Sequence, residues 1–548
     1  MQIETAWVKP PRRIKGLDHL AVQAPCINIY GKLLPGITNV TDRARYYSFY
    51  PWLVWALEEK GHVFDDHFID LFRKADCLFT LIAHRHADIS GNAGFHAGAT
   101  IGTNNLVEQL HAIKEKKSVT LSDYAHRDKD RKKYFKNTLG GLGQYYLGVL
   151  SELNIMNGTA GSGIQNTKQV GKQVAQAFAK GVNGDLFLQS VGEDLVTLER
   201  LDALAAFCPC QIENNPEEHK LLFDMFFVQG PLFNEPDLLP RRRTLQTILY
   251  VADGLAKQGL SITEQLFRGC VYSQSFPNGL ALELPESLHS NLNRWGIYQR
   301  NELLSLAVQG LFYVLLDCYA ESGHRLPSSK DVCEWFMGTP EVAQTSKRFD
   351  LEKVLSQAVQ DYGKQLPEFT AWTDPEHEVQ HGLRVEALSR TGGAANRALI
   401  LESCVATLLA LSFREQTGQG YGDLIFPGKY FQYYPINLRS FNSHSANTWQ
   451  DHTVKQWLTW LCETWGLEAH LKVALRKLRG QSQSSFRIRP SDYGMVVVDP
   501  DEIPPAVFTS PRFRQAIQVL QDVGVLAQQD GCLRSTTLGI TVKEAIGV

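Results

Sequence analysis

Apolar positions recur at a three-to-four-residue spacing over most of the chain, the pattern of helices that bury one face. LPRRRTLQTILYVADGLAKQG (239–259) and RNELLSLAVQGLFYVLLDCYAES (300–322) carry it most plainly, and 348–363, 395–415 and 451–479 predict further helices. A helix capped by Asp42 or Thr41 is expected to run towards Leu57. Pro51 should interrupt or kink it, because proline lacks the N–H and its ring meets the preceding turn. Another helix is expected over Asp65–Ile82, then a loop of small residues over 84–105 and an exposed, basic helix start over 125–137. PDEIPPAVFTSP (500–511) reads as an extended linker.

Two stretches break the helical rhythm in the same way. Leu142, Tyr146, Val149, Leu150 and Leu153 form a helical stripe, followed by Ile155-Met156, the turn Asn157-Gly158, a Gly-rich tip and Thr167 as a cap for a helix bearing Val170, Val174, Ala177 and Phe178. Near the C-terminus, Phe513, Ala516, Ile517, Leu520 and Val523 form a stripe. Val525-Leu526-Ala527 reads as a strand, Asp530-Gly531 as a hairpin turn, Cys532-Leu533 as the return, and Thr536 or Thr537 as the cap of a last helix. The letters run parallel: VLSELNIM at 149–156 and VLQDVGVL at 519–526. A helix, a β-wing and a closing helix make up a winged helix. The expected fold is therefore mainly α, multi-helical, with two winged-helix-like units, one mid-chain and one C-terminal. The expected domains are 1–136 (helical), 137–195 (winged-helix-like), 196–445 (helical middle), 446–500 (basic helix and connector) and 501–548 (winged-helix-like).

Composition changes this picture little. The 548 residues include 21% charged and 44% hydrophobic side chains, ordinary for a globular protein. The formal net charge of −3 means that any basic surface must be local. Ten scattered cysteines without framework spacing predict free thiols in a reducing, cytoplasmic setting. The opening MQIETAWVKPPRRIKG lacks the apolar core of a signal peptide, and no continuous apolar run predicts a membrane span.

Candidate chemistry is sparse. Cys208-Pro209-Cys210, with His219 downstream, has C-x-C spacing and no second pair, so it predicts buried thiols rather than zinc. His84, His86 and His96 lack a carboxylate or cysteine at helical spacing to complete a metal site. No metal, cofactor or catalytic residue is expected. Gly158, Gly161 and Gly163 before Gly171-Lys172 do not match a P-loop, since Gln173 follows the lysine. Glu58-Glu59-Lys60 spells E-x-K without the strand and upstream Asp that would hold metals. Arg439 and His444 spell the R-x4-H of HEPN-type ribonucleases, in a loop-like setting after Pro435, and stand as the alternative, nuclease reading. The aromatic run with Tyr46, Tyr47, Phe49, Tyr50, Trp52 and Trp55 predicts a core helix, since a base-stacking platform would interleave more cations than Arg43 and Arg45.

One basic block stands out. HLKVALRKLRGQSQSSFRIRP (470–490) carries Lys472, Arg476, Lys477, Arg479, Arg487 and Arg489 and no acid. These six are the candidate nucleic-acid contacts, with Leu471, Leu475 and Leu478 as the opposite, buried stripe. A solvated face or a surface for an acidic partner fits the same residues. Arg241-Arg242-Arg243 sits at a helix start, where positive charge opposes the dipole, and suggests an anionic partner.

The architecture, a long helical chain with winged-helix-like units of which one is C-terminal, is similar to kleisin-type subunits of SMC complexes. GITNVTDRARYYSFYPWL, WGIYQRNELLSLAVQGLF and HLKVALRKLRGQSQSSFRI resemble proteins of bacterial defence islands, in particular the accessory subunit of Lamassu-type (Ddm-type) systems. The resemblance implies a non-catalytic bridging subunit of an anti-phage or anti-plasmid complex. Its partners would be an SMC-like ATPase and a nuclease effector, with double-stranded DNA held nearby; a DNA-binding regulator is the other alternative. One departure is that the first winged unit starts near residue 137, not at the N-terminus where kleisins carry theirs.

Overall fold

The computed structural model describes residues 12–13, 18–128, 131–159, 161–419, 434–478 and 483–545. The protein is mainly helical, and among the described residues the strands pair two at a time. The chain divides into two compact units that interleave along the sequence: residues 1–30 with 265–509, and 31–264 with 510–548. The boundaries fall at 264/265 and 509/510, and the C-terminal stretch packs with the unit that begins at Gly31.

In the unit formed by 1–30 and 265–509, the helix Glu286–Ser322 is the axis. Helices Glu378–Thr391 and Ala394–Gln416 and the helical run from Val454 to Leu478 pack against it. Glu286–Ser322 and Ala394–Gln416 are long and apolar enough to cross a membrane by length and composition, but their apolar windows are 83% and 72% buried within the protein. The 500–511 stretch is not a loose linker. The Ala506, Val507 and Thr509 N–H groups donate to Ser389 Oγ, Gln309 Oε1 and Glu302 Oε1.

In the unit formed by 31–264 and 510–548, the aromatic run forms the helix Tyr46–Glu59 and is buried except for half-buried Trp55, with Pro51 accommodated inside the helix. Asp42 does not cap that helix; its carboxylate accepts from Arg514 and Gln515. The next helix is longer than expected, Asp66–Ser90, capped by Asp65 at its start and stopped by Gly91 at φ 74°. Residues 84–90, expected as loop, are thus its last turns. The basic stretch near 125–137 forms no helix among the described residues after Ala125.

The two stretches with parallel letters contain the same elements. The first is helical from Leu142 to Glu152, then forms the antiparallel hairpin Met156–Thr159/Gly163–Asn166 and the helix Gly171–Lys180. The second has the helix Phe513–Asp522, the hairpin Leu526–Gln529/Cys532–Ser535 and the helix Thr537–Glu544. Their hydrogen bonds correspond one to one. Each first helix ends in a left-handed residue, Asn154 (φ 54°) or Gly524 (φ 71°). The next N–H, of Ile155 or Val525, reaches back to Leu150 or Leu520. A threonine returning from the hairpin, Thr167 or Thr536, donates its N–H to Ile155 or Val525 and its hydroxyl to Asn154 or Gly524, at 2.7 Å in both. The same hydroxyl accepts from Gly171 or Gly539. In the first copy Thr167 does this from outside the helix, whose N-cap is Val170.

Candidate functional site

Four donor side chains that the chain keeps far apart converge in the unit that begins at Gly31. His86 lies in the last turns of Asp66–Ser90, and His96 ends the short helix Ala93–His96, capped by Asn92. Cys208 and Cys210 flank Pro209, which opens a short turn. Cys208 Sγ lies 3.8 Å from His96 Nδ1, and Cys210 Sγ lies 3.4 Å from His86 Nδ1. All four donor atoms lie within 4.8 Å of one another, and among the described residues this is the one such group of three or more His, Cys, Asp or Glu. Cys208 and His96 are buried; His86 and Cys210 are half-buried. Cys210 is held below the usual thiol range by the hydrogen bond it accepts from Cys208, and that bond together with burial pushes the Cys208 thiol up.

Two buried arginines hold the backbone on either side of the cluster. Arg43 donates to the carbonyls of Phe95, His96 and Gly98, and its charge is met by Asp522 at 3.0 Å. Arg45 donates to the carbonyls of Ala206 and Cys208, and its charge is met by Glu218 at 3.0 Å. The pair R-x-R therefore fastens one donor-bearing segment each. Sequence reasoning treated the histidines and the Cys-x-Cys as separate, incomplete sets. Each set lacks by itself the donors that the other supplies, and more than 100 residues separate His96 from Cys208. His84 and His219 stand outside the group, bonded to Thr103 and to the Val523 carbonyl.

The basic block is dispersed. Lys472, Arg476 and Arg489 are exposed, with Lys472 paired to Glu468 at 2.9 Å. Lys477 is half-buried and donates to the Asp18 carbonyl. Arg487 is 6% exposed and faces Asp499, so it is not part of an outer phosphate-contacting surface. Arg479 lies outside the described residues. The buried stripe of this helix is Ala469, His470, Val473 and Ala474, while Leu475 and Leu478 are exposed. The leucine spacing was helical, but His470 wins the inside because both ring nitrogens find backbone partners there. Arg241 is buried as well. It donates to the carbonyls of Phe226, Met225 and Pro35, so its charge meets the negative end of the helix Pro216–Phe227 dipole and one further carbonyl inside the protein.

Arg439 and His444 lie on a helix, Leu438–Asn447, capped by Asn437, not in a loop. His444 bonds Thr448 Oγ1 and stacks on Trp449. A nearby cavity of about 450 Å³ is lined by Ser412, Glu415, Asn442, Ser445 and Trp449, and neither Arg439 nor His444 lines it. His377-Glu378-Val379-Gln380-His381 spells H-E-x-x-H, the zinc-hydrolase helix motif. Its geometry is different: His377 is the N-cap and accepts from Val379, and Glu378 is locked by Arg414 and Tyr272. His381 bonds Tyr362 and Arg384. Comparison with known protein families, characterised proteins and solved structures finds no match to this chain.

Proposed function

We infer that the chain is a non-catalytic bridging subunit of a cytoplasmic bacterial defence complex, docking on an SMC-like ATPase and helping to hold a nuclease effector. In this reading the two helix–hairpin–helix stretches are winged-helix modules, and their hairpins are the docking elements. The observation that supports it is the tips themselves. Residues 157–159 and 161–163 at the first tip, and 528–531 at the second, are mostly exposed, and Asp530 is the one charged residue among them. Phosphate contacts come mainly from Lys and Arg, so such tips suit a protein surface better than DNA.

The test is co-expression with an SMC-like ATPase, sought first among the products of the neighbouring genes. The expected result is a stable complex, weakened when Asn157 and Gln528 are both replaced by Glu. Recovery of the chain alone, monodisperse and without the ATPase, overturns the reading. Exposed Lys472 and Arg476 on one helix favour a second, auxiliary role in holding duplex DNA. Charge reversal at both should then weaken binding and flatten its salt dependence; binding that does not respond excludes that role.

A further inference from the structure

We propose that His86, His96, Cys208 and Cys210 bind one zinc ion, forming a closed structural site in the unit that begins at Gly31. A tetrahedral zinc with Zn–S of about 2.3 Å and Zn–N of about 2.0–2.1 Å has ligand–ligand edges of roughly 3.3–3.8 Å. The two cysteine–histidine edges, 3.8 and 3.4 Å, are of that length, and the widest separation in the group is within 4.8 Å. Small closing movements of half-buried His86 and Cys210 would complete the tetrahedron.

The donor chemistry selects the ion. Two thiolates and two imidazoles with no oxygen ligand exclude the hard cations calcium and magnesium and favour zinc. Two thiolates neutralise the dication, so the bound centre carries no net charge. That matters here because the neighbouring guanidiniums of Arg43 and Arg45 are already matched by Asp522 and Glu218. A charged centre would be left uncompensated.

The surroundings are built for a filled site. The packing neighbours of Cys208 are Ala83, Ala87 and Ala97, whose small side chains leave the donors room to close. Gln211 Nε2 donates to Cys210 Sγ at 3.2 Å; N–H donors of this kind support thiolate ligands. The carbonyl clamps of Arg43 and Arg45 fix both donor-bearing segments, so the site needs little reorganisation on binding. With four protein ligands no coordination position is left for substrate, which makes the role structural. The ion would tie the end of helix Asp66–Ser90 to the turn at Pro209. The inference does not depend on the docking function.

The full chain, purified without chelator or a metal-binding tag, is assayed for metal by plasma mass spectrometry. About one zinc per chain is expected, falling at least several-fold in Cys208→Ser and His96→Ala and unchanged in Cys532→Ser. Because the variants could unfold, the wild-type chain is also stripped and titrated with cobalt. Saturation at one equivalent, with the strong visible bands of tetrahedral thiolate-bound cobalt, supports the site. Zinc should also shield two of the ten cysteines from a thiol reagent. A metal-free chain that takes up no cobalt, a Cys208–Cys210 disulfide found by mass, or stoichiometric iron or copper in place of zinc each overturns the proposal.

Discussion

At the residue scale, buried charge is the costliest commitment this sequence makes. Arg45 meets Glu218 through two parallel bonds of 3.1 and 3.0 Å, and both side chains are fully buried. Removing one partner strands the other, a loss of about 3–5 kcal/mol. Arg45→Ala should therefore lower the unfolding free energy by about that amount in denaturant titration, whereas Lys472→Ala, at an exposed pair, should change it by less than about 0.5 kcal/mol. Buried histidines set an acid limit. His470 accepts from the Arg487 N–H at one nitrogen and faces the His19 carbonyl with the other, so it is neutral. Burial, with Arg487 and Lys477 nearby, pushes it down to about 4, and burial pushes His19 down to about 3. Both folded values lie below the unfolded value of about 6.5, so their stabilisation is present above about pH 6.5 and is lost as pH falls towards about 4. His470→Asn, which keeps both bonds, should reduce the proton uptake on unfolding across that window by about one, read from urea unfolding at several pH values. An unchanged pH slope would contradict this neutral assignment.

At the element scale, the duplicated helix–hairpin–helix offers a paired test. A Cβ at Gly171 would meet the Ile155 carbonyl at 2.0 Å, and one at Gly539 would meet the Val525 carbonyl at 2.1 Å. Gly171→Ala and Gly539→Ala should each cost about 1–3 kcal/mol. Gly192 in the helix Gly184–Glu193 has no atom within 4 Å of such a Cβ, and Gly192→Ala should instead stabilise by about 0.5–1 kcal/mol. Thermal unfolding of the three variants checks both signs. The second hairpin is legible because Asp530-Gly531 and the flanking stripe agree at short range; in the first, the expected turn residues Asn157 and Gly158 pair inside the strand instead, and the ladder runs on to Thr159 and Gly163. The helix Asp66–Ser90 was underestimated because its last turns carry histidines and small polar residues, a composition that reads as loop. Its true end is set by Gly91, which adopts the left-handed conformation.

At the scale of the whole molecule, neither compact unit is a continuous stretch of chain. The C-terminal stretch supplies Asp522 to Arg43, and Ser535 and Lys543 to Asp253, inside the unit that starts at Gly31. Truncation after Thr509 removes these partners and the apolar face of Phe513–Asp522 together. The truncated protein should be insoluble or bind a hydrophobic dye, and soluble, cooperatively unfolding material would show that the unit stands without its C-terminal part.

The sequence by itself determined the helical character, the presence of two hairpins, the Asp530-Gly531 turn and Thr536 cap of the second, and the burial of most of the aromatic run. These follow from spacing and from residues a few positions apart, where chain connectivity keeps the interacting groups close. Tertiary structure alone decided that Arg487 and Arg241 are interior, that His470 rather than the leucines faces inward, and that His86, His96, Cys208 and Cys210 are neighbours. Those outcomes depend on which distant segment arrives at each side chain. Their pairings span as many as 451 residues, and no local period encodes them.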